Sequence, residues 1–129
     1  MGRGVVFISY AAADRWVARQ LRDGLARGGG CGTWFDSYDV AGRRIPDAIR
    51  DGLASADEVV VLMTPAALAS EWVGHELGGA DALGLPVTLL LYGVKPSKLP
   101  GPWGHYARFD ISEADVYIEE ARRRWGGGG

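Results

Sequence analysis

The chain has 129 residues, 47% hydrophobic and 23% charged, and its 14 basic and 16 acidic side chains leave a net charge of −2. This length suits one domain and is too short for two, and the near-even charge argues against a general polyanion binder. Cys31 is the single cysteine, which excludes an intramolecular disulfide and a cysteine-based zinc site and fits a reducing compartment.

Met1-Gly2-Arg3-Gly4 leads straight into a strand pattern without the apolar stretch of a signal peptide. No apolar run approaches the roughly 20 residues of a membrane span. The expectation is a cytoplasmic domain over residues 4–125, followed by a flexible glycine tail, 126–129, that either ends the chain or joins it to something further.

Val5-Val6-Phe7-Ile8 does not alternate in polarity, so it reads as a strand buried on both faces. Asp14 is placed to cap a helix whose stripe is Val17, Leu21 and Leu25, and Gly28-Gly29-Gly30 stops it. Cys31 to Asp36 predicts a second strand, Ser37 to Arg44 a polar loop, and Pro46 the first turn of a helix with Ile45, Ala48, Ile49 and Leu53 inward. Glu58 to Met63 is the third and most central strand, ended by Thr64-Pro65.

Ser70 can cap a helix reaching Leu83, with Val73, Leu77 and Ala80 inward. Gly78 and Gly79 weaken that helix by about 1 kcal/mol each relative to alanine and serve either close packing or a local bend. Pro86 to Tyr92 is the fourth strand, Pro96 to Gly104 a loop, and Ala107 to Asp110 a short fifth strand. Ser112 to Trp125 is the last helix, with Arg122-Arg123-Arg124 complementing its dipole.

Alternating strands and helices predict a five-stranded parallel sheet covered on both faces, joined by right-handed crossovers. Ligands of such sheets bind beyond the carboxyl ends of the strands. The turn Ser9-Tyr10-Ala11-Ala12-Ala13 lacks the glycines of a dinucleotide fingerprint, and no phosphate loop or nucleophile elbow occurs. A phosphoacceptor receiver would carry acids after strands one and three, where this chain has Ser9-Tyr10 and Thr64-Pro65. His75 and His105 are not spaced as metal ligands, and no metal site is expected.

Val6-Phe7-Ile8-Ser9-Tyr10, Trp34-Phe35-Asp36, Gly42 with Ile45 and Ile49, and Ser70-Glu71-Trp72-Val73-Gly74-His75-Glu76-Leu77 stand in this order along the chain, and together they resemble the TIR (Toll/interleukin-1 receptor) domain family, bacterial type. Val6-Phe7-Ile8-Ser9-Tyr10 with Asp14 is similar to its opening strand and loop, and Trp34-Phe35-Asp36 to its second-strand ending. Gly42, Ile45, Ile49 and Ala54-Ser55 are similar to its BB loop and the helix that follows. Ser70-Glu71-Trp72-Val73-Gly74-His75-Glu76-Leu77 resembles the segment that carries the family's catalytic glutamate. The match runs from about residue 5 to 110. Ala41 departs from the proline many members have before the BB-loop glycine, and Gly74 from another small residue or cysteine.

The resemblance implies a flavodoxin-like α/β fold and, for many members, cleavage of NAD+ as a substrate, with no separate cofactor. The products are nicotinamide and ADP-ribose or a cyclic form. It further implies activation by self-association with other TIR domains, a separate sensor or effector, and a role in bacterial antiviral defence. Two alternatives are a non-catalytic TIR–TIR scaffold and an effector that mimics host TIR domains.

Glu76 is the implied catalytic residue, set against the reading of an ordinary solvated helix acid. Breaking the nicotinamide–ribose bond develops oxocarbenium character. The leaving pyridine is neutral, so one carboxylate suffices to stabilise the cation. Trp72, one turn before Glu76 on the same helix face, lines a pocket or packs in the core. Ser9 and Tyr10 end the first strand at the ligand edge, and Asp36 and Tyr38 open the BB loop. All four are substrate-contact candidates, with turn capping or loop fixing as the alternative for Ser9 and Asp36. Arg43 and Arg44 suit a diphosphate or a solvated loop, and Ala41, Gly42 and Arg43 are the assembly candidates of the BB loop. No direct nucleic-acid or membrane contact is expected.

Overall fold

A computed structural model describes residues 4–35 and 51–127. The runs rich in β-branched and aromatic residues become the inner strands. β1 (Val5–Ser9) and β3 (Glu58–Met63) lie side by side, β3 buried throughout and β1 from Val6 onward. β2 (Gly32–Phe35) pairs with the other side of β1, while β4 (Val87–Leu91) and β5 (Ala107–Asp110) extend the sheet beyond β3. Among the described residues the order is β2-β1-β3-β4-β5, every pair is parallel, and β3 is central as its unbroken apolar run predicts.

Successive side chains point to opposite faces, so β1 to β4 feed two cores. Phe7, Val59, Val61, Met63 and Leu89 pack on one face, beneath the helical residues 51–55 (α2), α3 (Pro65–Leu68) and α4 (Glu71–Ala82). Val6, Ile8, Val60, Leu62 and Leu90 pack on the other face, with α1 (Arg15–Asp23) and α5 (Ala114–Trp125). On the first face Phe7 and Trp34 stack with ring centroids 4.9 Å apart and planes within 7°. Gly52 lies on that stack: a Cβ there would come within 2.5 Å of the Trp34 indole and 2.7 Å of the Phe7 ring.

Several local expectations are refined. α1 widens into a π-helical segment, Gly24–Gly28, before the glycine run ends it. Thr64-Pro65 ends β3 and also begins α3: Thr64 Oγ1 accepts from Ala67 N at 3.1 Å and Pro65 occupies the first turn, where its missing N–H is harmless. The loop expected over 96–104 contains two 3₁₀ turns, Pro96–Lys98 and Gly101–Trp103. Of the two glycines in α4, Gly79 serves close packing, since a Cβ there would stand 2.8 Å from Leu53 Cδ1. Gly78 faces open space. Tyr106 pins the loop before β5 to α4, its hydroxyl 2.8 Å from both Asp81 carboxylate oxygens.

Both ends of the described chain meet at the amino-terminal edge of the sheet. Gly4 N donates to Trp125 O at 2.8 Å and Gly127 N donates to Gly30 O at 3.1 Å. No helix among the described residues is long and apolar enough to cross a membrane.

Candidate functional site

The sheet order reverses direction between β1 and β3, which makes their carboxyl ends the topological switch point where open α/β sheets bind ligands. The register puts a step there. β1 ends at Ser9, level with Val61 of β3, while β3 runs on to Met63 beside Leu91 of β4. Two further residues at the strand rise raise that part of the edge by about 7 Å. Ser9 lies at the foot of the step, on the face covered by α4.

α4 delivers a carboxylate to this point. Ser70 caps the helix, its Oγ accepting from Val73 N at 3.2 Å. Helical spacing then turns Val73, Glu76, Leu77 and Ala80 toward the sheet, and all four are buried. Glu76 is 4% exposed, which rules out the solvated surface acid that its polarity alone would suggest. Ser9 Oγ donates to Glu76 Oε1 at 2.5 Å, and Ser9 itself is fully buried. A carboxylate removed from water destabilises a fold by several kcal/mol unless hydrogen bonds compensate, and buried titratable groups of this kind concentrate at functional sites.

A second polar link crosses the switch point. Thr64 Oγ1, beyond β3, donates to Asp14 Oδ2, beyond β1, at 2.5 Å. Asp14 stands at the N-cap position of α1 as expected, but its side chain makes no capping bond, because the carboxylate turns to Thr64. The threonine therefore caps α3 and ties the two loops together. Further along the same edge, Pro65, Leu68, Gly93, Val94, Lys95 and Lys98 line a cleft of about 460 Å³. Lys95 and Lys98 are the two lysines of the chain, and neither had been given a role.

The other site candidates fall as follows. Tyr10 is fully buried, its ring stacked on Phe35 with centroids 5.0 Å apart, so it offers a ligand no exposed surface here. Trp72 lies in α4 one turn before Glu76, and only its backbone is described. Asp36, Tyr38, Ala41, Gly42, Arg43 and Arg44 lie outside the described residues. Among the described residues no cluster of three or more His, Cys, Asp or Glu is arranged to hold a metal ion.

Among the described residues one further carboxylate is buried, at the opposite edge, and its surroundings explain it fully. Glu58 begins β3 and is 1% exposed. Its Oε1 accepts from Arg124 Nη2 at 2.8 Å, Arg124 Nε at 3.1 Å and Trp125 Nε1 at 2.7 Å. Its Oε2 accepts from Tyr117 Oη at 2.8 Å and Thr88 Oγ1 at 3.3 Å. Burial, then the negative charge of Glu58, pushes the Tyr117 phenol far above its usual range. Arg124 is thus a structural partner as well as a cation in the last turn of α5, a role that helix-dipole reasoning did not reach.

The family model described as "TIR domain" matches residues 6–124. No protein of curated function matches the chain. Among solved structures, the TIR domain of the Toll-related receptor TRR-2 from Hydra magnipapillata superposes with a TM-score of 0.74 at 24% identity, covering 92% of this chain and 95% of that one. A metazoan TIR-STING receptor from C. gigas, in complex with 2',3'-cGAMP, gives a TM-score of 0.72 at 28% identity over 91% of this chain and 38% of the receptor. The TIR domains of the activated Roq1 resistosome give 0.64 at 16% identity, covering 95% and 86% of the two chains. The sheet order, the four sequence segments and a family match across nearly the whole length agree: the chain belongs to the TIR domain family.

Proposed function

We propose that this domain cleaves NAD+ at the bond between nicotinamide and ribose, with Glu76 as the catalytic carboxylate. The observation that carries the reading is the burial of Glu76 at the switch point of the sheet, where such folds take their ligands. As the C–N bond breaks, its electron pair leaves with nicotinamide, which departs neutral, and positive charge spreads over C1′ and the ring oxygen. A preorganised carboxylate in a water-poor site stabilises that charge far more than one in bulk water. Water then adds to C1′ and releases a proton, giving ADP-ribose. Attack by a nitrogen of the substrate's own adenine gives a cyclic product instead.

Trp72, one turn before Glu76, shapes the nicotinamide side of the site in this reading. The BB-loop residues Ala41, Gly42 and Arg43 serve self-association with other TIR domains, which completes the active unit. A sensor or partner protein triggers that assembly, and antiviral defence is the setting the family resemblance suggests. Asp36, Tyr38, Arg43 and Arg44 are the proposed contacts to the rest of the substrate.

The test is NAD+ consumption by the purified protein at high concentration, with products separated by chromatography and Glu76→Gln as the control. Consumption by the wild type and a loss of about 100-fold or more in Glu76→Gln supports the reading. Equal rates in the two proteins reject it and leave the scaffold alternative.

A further inference from the structure

We infer that Ser9 is a positioning residue for Glu76, holding the carboxylate in its reactive orientation from within the sheet. This rests on the NAD+-cleavage reading and replaces the substrate contact expected of Ser9. Three observations carry it. Ser9 is fully buried, so it has no surface to offer a ligand. Its hydroxyl donates to Glu76 Oε1 at 2.5 Å across 67 residues of sequence. And its backbone belongs to β1, flanked by β2 on one side and paired with Val61 of β3 on the other.

Glutamate has three rotatable side-chain bonds and loses much rotamer freedom when fixed. A glutamate on a helix face has several orientations open to it, and each hydrogen bond to its carboxylate narrows them. A hydroxyl mounted on a doubly paired strand selects one of them before substrate arrives, which is the preorganisation that electrostatic catalysis needs. The register step matters here. Because β1 stops two residues short of the edge, Ser9 meets Glu76 at the very end of its strand, on the face that α4 covers.

The experiment measures NAD+ turnover for wild type, Ser9→Ala, Ser9→Thr and Glu76→Gln, and binding of a non-cleavable carbocyclic NAD+ analogue by calorimetry. Ser9→Ala is expected to lower kcat by about 10- to 100-fold, the worth of a hydrogen bond to a charged group. KM and analogue affinity should stay within about threefold. Ser9→Thr keeps the hydroxyl on a β-branched side chain suited to a strand and should regain kcat to within about threefold of wild type. Should Ser9→Ala fail to fold, Ser9→Cys fills nearly the same space with a weak donor and makes the same discrimination.

A normal kcat in Ser9→Ala, or a loss matched by equally weakened analogue binding, overturns the positioning role. Activity lost in Glu76→Gln but kept in Ser9→Ala overturns this inference alone. A wild type no more active than Glu76→Gln overturns the cleavage reading beneath it.

Discussion

Replacing Glu58 with alanine should be among the most destabilising single changes in the domain. The carboxylate gathers Arg124, Trp125, Tyr117 and Thr88 at the foot of β3. Truncation leaves the fully buried Tyr117 hydroxyl and the nearly buried Thr88 hydroxyl without their acceptor, and the Trp125 indole N–H as well. Each orphaned buried donor destabilises by about 1–3 kcal/mol. Arg124 is 39% exposed at its side chain and can turn to water or to Glu120 at 3.5 Å, so its share is small. The two buried hydroxyls alone give about 2–6 kcal/mol, with the part-buried Trp125 N–H adding less, a range that brackets the loss of about 3–5 kcal/mol typical of removing one partner from a buried ionic cluster. For a domain of this size that lowers Tm by about 12–20 °C.

Glu58→Gln is the informative companion. Its amide oxygen still accepts from Arg124 and Trp125, and its NH₂ can donate to the Tyr117 and Thr88 hydroxyls, which accept as readily as they donate. It should lose only the charge assistance, about 1–2 kcal/mol. Urea unfolding checks both variants through the midpoint, with an unchanged slope. A loss under about 1 kcal/mol in the alanine variant, or equal losses in the two, would refute the account of Glu58 as a satisfied structural hub.

Gly52→Ala should lower Tm by about 4–12 °C, because its Cβ meets the stacked rings of Trp34 and Phe7, and overpacking typically destabilises by about 1–3 kcal/mol. Gly78→Ala, facing open space, should raise Tm by about 4 °C through helix propensity, whereas Gly79→Ala should gain less or nothing because its Cβ meets buried Leu53. Burial, then the Asp81 hydrogen bond and charge, raise the Tyr106 pKa to about 12. Its folded value therefore exceeds the unfolded value near 10, so its contribution is full below pH 10 and lost as pH rises to about 12. Alkaline unfolding curves should show that slope, and Tyr106→Phe should flatten it. Thr64→Val removes both the cap of α3 and the partner of Asp14, and thermal melts should register about 1–2 kcal/mol.

The strands were legible because their residues are insensitive to context: Val59-Val60-Val61-Leu62 is apolar on both faces, and only a central parallel strand buries it so completely. The cap at Ser70 was equally local, and α4 follows directly from it. What escaped were pairings across long sequence distance. Glu58 reads as an ordinary strand-opening acid until its partners arrive 30 to 67 residues later. Asp14 reads as a cap until Thr64, 50 residues on, claims it. Glu76 illustrates both cases. Its motif could be read from neighbouring residues, but its burial and its bond to Ser9 depend on where α4 crosses the sheet. Lys95 and Lys98 were given no role because their cleft forms only where the loop after β4 meets α3.

The joining of Gly4 to Trp125 has a consequence for anything attached to the domain. Gly4 and Trp125 lie side by side at one pole, and Glu76 sits at the other, separated by the length of a five- or six-residue strand, about 17–20 Å. A neighbour fused at either end therefore acts as a handle gripping the base of the sheet. It can gather copies, space them or orient them without crowding the carboxylate at the far pole. Fluorescent or affinity tags placed at either terminus should be tolerated for the same reason, and a circular permutant joined across the Gly4–Trp125 contact needs only a short linker.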